Sequence, residues 1–130
     1  MNWLKKLFGL SSTPAVRFRS VDWPEVEGRL RTLEAIAQRQ DQLSAKDLVL
    51  QADNLIDFVL KTAGMSGQTM GDRLKNLKTL LPRSIYQKAW SVHLKRNELV
   101  HESGSFVADW ERTTNFENTK QVISGLRGLR

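Results

Sequence analysis

Apolar residues recur at intervals of three and four along most of this chain, and alternation in twos is nowhere sustained. Leu48, Ala52, Leu55, Ile56, Val59 and Leu60 make the clearest run. That spacing lays a stripe along one side of an α-helix but would scatter the same side chains over both faces of a strand. The chain is therefore restricted to an all-α fold. Its 130 residues are enough for one domain with one modest core.

Start and stop signals divide the pattern. Asp22-Trp23-Pro24-Glu25 is a capping box with proline in the first turn, where its missing N–H costs nothing. Val26, Leu30, Leu33 and Ala37 follow as one stripe. Ser44-Ala45-Lys46-Asp47 is a second capping box; it opens the helix of the clearest run, which stops before Gly64. Asp53 and Asn54 ride in that helix and are expected on its solvated side. Thr69-Met70-Gly71-Asp72 caps a third helix carrying Leu74, Leu77 and Leu81, ended by Pro82. A fourth starts at Ser84 to Gln87, with Ile85, Ala89, Val92 and Val100 facing inward, and closes at Glu102-Ser103-Gly104-Ser105. A last helical region from Asp109 to Gly125 is expected to break near Thr113-Thr114, with Trp110, Phe116, Ile123 and Leu126 in the core and Ser124 to Arg130 frayed. The sum is an antiparallel bundle of four to five helices.

Residues 21–130 form that single helical domain, and residues 1–20 an arm and linker broken by Pro14. Within Met1 to Leu10, Trp3, Leu4, Leu7 and Phe8 keep helical spacing with Lys5 and Lys6 between them. Such a segment suits docking on the domain or on a second subunit, or peripheral contact with an anionic membrane surface.

The absence of cysteine excludes disulfides, thiolate metal sites and a cysteine nucleophile, and only two histidines occur, so no metal and no cofactor are expected. No apolar run is long enough to span a bilayer and no signal peptide is evident. The expected location is cytoplasmic, with the inner membrane surface as the place of any peripheral contact.

Charge is unevenly distributed. From Arg73 to Asn97 the chain has seven basic residues (Arg73, Lys75, Lys78, Arg83, Lys88, Lys95 and Arg96) and no acid. This interval carries +7, while the other 13 basic and 14 acidic residues sum to −1. A one-signed stretch favours a polyanion such as RNA, although it also serves as a solvated face.

Arg96-Asn97-Glu98-Leu99-Val100-His101 lies at the end of the fourth helical pattern. It resembles the Arg-x4-6-His motif of the HEPN superfamily, small all-α domains found in many RNA-cleaving bacterial toxins. The similarity covers roughly residues 44–107 and extends to the segment Thr69 to Leu74. It implies a HEPN-like dimer with a composite site, a cleft that the second helix, with Asp53 and Asn54, often helps to line, a metal-independent endoribonuclease activity, and a nucleotidyltransferase-type antitoxin as a further partner. Arg96 and His101 would then be catalytic, Asn97 supporting, and Arg73, Lys75, Lys78, Arg83, Lys88 and Lys95 would bind RNA.

The chemistry suits those residue types. Cleavage through the ribose 2′-OH needs a proton carrier and positive charge on the phosphorane. Histidine titrates near neutral pH, and the arginine fork keeps its charge. On an ideal helix Arg96 and His101 point about 140° apart, so they do not stack on one line. The alternative is a non-catalytic RNA- or nucleotide-binding, or partner-binding, helical module. In that case His101 caps its helix end and Arg96 pairs with Glu102 or Asp53. His93 is outside the motif and is expected at a dimer surface.

Overall fold

The computed structural model describes residues 15–130. The helices are α1 (Trp23–Ala37), α2 (Gln42–Thr62), α3 (Met70–Asn76), α4 (Arg83–His101) and α5 (Asp109–Arg127), and there is no strand among the described residues. The all-α bundle expected from the periodicity is what the chain forms. The amphipathic Met1–Leu10 segment lies outside the described residues.

α2 packs against α1, α4 and α5, and α5 also packs against α1 and α4. These two long helices are the central pair. The α2 stripe explains this position: Leu48, Ala52, Leu55, Ile56, Val59 and Leu60 are all sealed from solvent. From α5 the same core takes Phe116, Val122, Ile123 and Leu126, and from α4 it takes Ala89 and Val92.

The caps place the ends. Asp22 accepts a hydrogen bond from the Glu25 amide at 3.1 Å and Thr69 Oγ1 one from the Asp72 amide at 3.1 Å, as their sequences require. α2 starts earlier than expected. Its cap is Asp41, whose carboxylate accepts from the Ser44 amide at 2.9 Å, and Ser44 is buried within the first turn. The hydrogen bonds from Ser44 hold the Asp41 carboxyl below its ordinary range.

Other expectations need correction. Residues 15–20, read as the end of a linker, belong to the domain. Phe18 is buried in a 3-10 turn, its carbonyl accepts from Trp23 Nε1 at 2.9 Å, and the Arg17 amide donates to Ala63 O at 2.7 Å. α3 ends at Asn76, although Leu77 and Leu81 beyond it still reach the core. α5 is unbroken through Thr113 and Thr114, and Thr113 Oγ1 donates back to Asp109 O. Its first residues are fixed by Glu111, whose carboxylate accepts from the Ala108 amide at 3.0 Å. Val100 and Trp110, expected inside, are exposed.

Residues 124–127 do not fray. Leu126 is fully buried, and Arg127 pairs with Glu27 of α1 and lies over the Trp23 ring. Leu126→Ala should therefore cost about 3 kcal/mol of unfolding free energy, as for other sealed leucines. Urea denaturation measures it, and a loss below about 0.5 kcal/mol would show that this turn of α5 is not part of the core.

Candidate functional site

The site grows from the one charged residue in the buried side of α2. Asp53 follows the sealed Ala52 and is itself buried, so the solvated face is corrected and the reading that this helix lines the cleft is the one its position agrees with. A buried carboxylate needs partners, and α4 supplies them. His93 Nδ1 lies 3.1 and 3.2 Å from the two Asp53 oxygens, and Arg96 Nε lies 3.9 Å from Oδ2. Burial pushes the Asp53 carboxyl above its ordinary range, and His93 and then Arg96 work against that rise.

His93, Arg96 and Asn97 share one side of α4 because they are three and four residues apart. Asn97 Nδ2 approaches His93 Nε2 at 3.4 Å, and Asn97 Oδ1 accepts from Arg96 Nη1 at 3.2 Å. With Asp53 ionised, these contacts put the proton of the neutral ring on Nδ1 and leave the Nε2 lone pair facing outward. The rim of Trp90 packs edge-on to the imidazole at 5.8 Å between centroids. Gly71 leaves room on the same side: a Cβ there would lie 4.0 Å from His93 Nε2.

These groups line a cleft of about 400 Å³ between α2, α4 and the start of α3. Asp57, one turn beyond Asp53, is on its wall. Arg73 holds Asp57 with two hydrogen bonds, Nε at 2.7 Å and Nη2 at 3.0 Å, and gives a third from Nη1 to Gly67 O at 2.8 Å. Asp57 raises the Arg73 guanidinium above its usual range. Gly67 has φ of +142°, and a Cβ there would meet the Arg73 amide at 2.7 Å, so only glycine fits this turn.

Of the residues read as site candidates, Arg96 and Asn97 are in the cleft. Arg96 is 36% exposed along its side chain, so it meets both Asp53 and solvent. His101 is the last residue of α4, exposed, and does not line the cleft. It lies about 12 Å further along the axis than His93. The histidine that shares the cleft with Arg96 is His93, which the sequence reading set aside. Its spacing to Arg96 and Asn97 was the available signal; Asp53, 40 residues earlier, carried none of its own.

The basic set divides. Arg73 is buried against Asp57. Lys95 is committed to two acids, Glu98 one turn on and Glu111 of α5 at 2.8 Å. Lys88 is half-buried and donates to Gln121 of α5. Lys75, Lys78 and Arg83 are exposed, and Lys78 and Arg83 flank Tyr86 across a shallow hollow. Among the described residues no group of three His, Asp or Glu side chains is placed to hold a metal ion, and no helix is long and apolar enough to cross a membrane.

No protein-family model, curated protein or solved structure matches the chain.

The Lys95 cluster has a testable pH dependence. Burial alone would raise the Glu111 carboxyl, but the Lys95 ammonium and the Ala108 amide outweigh it and hold Glu111 below its ordinary value of 4.5. A carboxyl lowered by folding stabilises the fold above its unfolded pKa, and that contribution is lost as pH falls through the folded value. Unfolding free energy should therefore fall more steeply below about pH 4.5 in the wild type than in Glu111→Gln. Parallel acid limbs in urea titrations of the two proteins would contradict this role of Glu111.

Proposed function

We propose that this protein is a HEPN-like RNA-binding domain that cleaves RNA without a metal, through the cleft between α2 and α4. The observation that carries this is the convergence of Asp53, His93, Asn97 and Arg96 on one opening. An imidazole with its Nδ1–H held by a buried carboxylate and its Nε2 turned outward is arranged to accept a proton. A guanidinium beside it is arranged to hold a phosphate.

The step balances with groups of this chain. His93 Nε2 takes the proton of a ribose 2′-OH as that oxygen attacks phosphorus, and Arg96 offsets the charge that builds on the phosphorane. The bond to the 5′-oxygen breaks, and this oxygen takes up a proton from water at the mouth of the cleft. The product is a 2′,3′-cyclic phosphate and a 5′-hydroxyl, and His93 then releases its proton. Asp53 holds the ring in position and stabilises the imidazolium. Asn97 occupies Nε2 until substrate displaces it. Lys75, Lys78 and Arg83 supply sequence-independent contacts to the RNA backbone, with Tyr86 available for stacking.

The resemblance also supports a homodimer and an antitoxin of nucleotidyltransferase type. His101 is exposed at the end of α4.

Purified protein in EDTA should cleave single-stranded RNA to 2′,3′-cyclic phosphate ends. His93→Ala should slow this by about 10²- to 10⁴-fold, and Arg96→Lys should also be damaging because it loses the fork. If cleavage survives His93→Ala but is abolished by His101→Ala, the composite site implied by the resemblance is correct instead. Intact RNA under all these conditions, with binding that weakens by orders of magnitude between about 50 and 200 mM salt, would leave a non-catalytic RNA-binding module.

A further inference from the structure

The connection between α3 and α4 meets α4 at a hollow of about 560 Å³, lined by Lys78, Leu81, Arg83, Tyr86 and Gln87. That volume is in the ordinary range for ligand pockets, roughly 300 to 1,000 Å³. The lining has two cations and no acid.

Its apolar part is anchored in the fold. Leu81 is buried and abuts Gly125 of α5, and Tyr86 is half-buried and packs against the main core. Its charged part is not neutralised. Lys78 and Arg83 are exposed, and neither enters an ion pair among the described residues. Arg73, Lys95 and Arg96 of the same basic interval all meet acids. A fixed aromatic ring flanked by two uncompensated cations suits an occupant with a flat π face and an anionic group. A nucleotide has that make-up.

The hollow is also continuous with the cleft. Tyr86, Trp90, His93 and Asn97 follow one another at intervals of four, three and four, so they form one stripe along α4. The Tyr86 and Trp90 rings meet edge to face with centroids 6.5 Å apart, and Trp90 meets the His93 ring in the same way at 5.8 Å. Gly71, beside Trp90 and His93, adds no side chain over the stripe. Seven residues of helix separate Tyr86 from His93, about 10.5 Å along the axis. A strand with one nucleotide at the cleft therefore brings a neighbouring nucleotide to the hollow. The base of that nucleotide is open to Tyr86 only where it is unpaired and unstacked from its own strand.

We infer that this hollow seats an unpaired nucleotide of the bound RNA strand, a neighbour of the nucleotide at the cleft. Tyr86 stacks on its base, and Lys78 and Arg83 hold its phosphate. The hollow selects single-stranded over paired RNA, because it demands a free base. That the strand continues into the cleft rests on the cleavage reading above; what the hollow itself binds does not.

Tyr86 is the only tyrosine of the chain, so protein labelled with 3-fluorotyrosine gives a single ¹⁹F resonance, and it reports on the hollow. A short single-stranded 2′-deoxy oligonucleotide, which cannot be cleaved, should shift that resonance. The same strand in a duplex, or a strand of abasic sugar-phosphate units, should shift it much less. Tyr86→Leu should weaken binding of the intact strand by about 5- to 150-fold, while Tyr86→Phe, which keeps the ring, should bind as the wild type does. Lys78→Gln and Arg83→Gln should each reduce the log–log salt slope of binding by about 0.7, and Lys120→Gln, exposed on α5, should not. An abasic strand that reproduces the shift in full, or a folded Tyr86→Leu protein that binds as tightly as the wild type, would overturn the proposal and leave a charged surface only. Should Tyr86→Leu unfold in urea titrations, the shifts of the wild-type protein decide alone. Displacement of the strand by AMP at equal concentration would also overturn it, giving the hollow to a free nucleotide. None of these readouts needs cleavage, so RNA left uncut while the shift persists counts against the cleavage reading alone.

Discussion

One buried and one half-buried acid on the central helix organise the polar half of this bundle. α2 is enclosed by α1, α4 and α5, yet it carries Asp53 and Asp57 on the side that faces α3 and α4. Carboxylates withdrawn from water must be paired or neutralised. Asp57 is paired by Arg73, which fixes α3 and the Gly67 turn against α2. Asp53 meets His93 and, at longer range, Arg96, which leaves it less completely compensated. The contrast is functional in character. Asp57 has a full bidentate partner and serves the fold; Asp53 holds a titratable ring whose far nitrogen faces an open cleft.

The same pairing changes what the basic interval means. Seven cations in a stretch without acids suggest a continuous positive strip when counted along the chain. In space, acids from α2 and α5 come to meet it. Arg73 and Lys95 are neutralised, Arg96 is partly engaged, and Lys75, Lys78 and Arg83 stay exposed near one pole. The surviving cations lie around the α3–α4 connection rather than along the whole of α4. Long-range charge steers a polyanion, whereas cleavage requires particular groups at one phosphate.

Local signals in the sequence placed most of the helices well. The caps at Asp22 and Thr69 form the hydrogen bonds their residue types imply, and the α2 stripe is the core. Failures occurred where distant residues decide the outcome. The Ser44 box lost to Asp41, which lies where the chain turns out of α1, and Phe18 joined the core because Trp23 and Ala63 hold its segment. Trp110, read as core, is exposed because α5 turns its buried side elsewhere. The site was half visible. Arg96 and Asn97 stood out through the motif, but the partner of His93 is 40 positions away on another helix. No spacing rule within one segment encodes that meeting.

The assignment of His93 as the proton carrier, held by Asp53, is the centre of this description. With only two histidines in the chain, long-range ¹H–¹⁵N correlation spectra resolve both imidazole rings. Neutral His93 should carry its proton on Nδ1, and this preference should weaken in Asp53→Asn. Titration with a 2′-deoxy dinucleotide, which binds without being cleaved, should move the His93 Nε2 resonance and leave His101 nearly unchanged. A His93 ring protonated on Nε2, or a dinucleotide that shifts His101 alone, would contradict it.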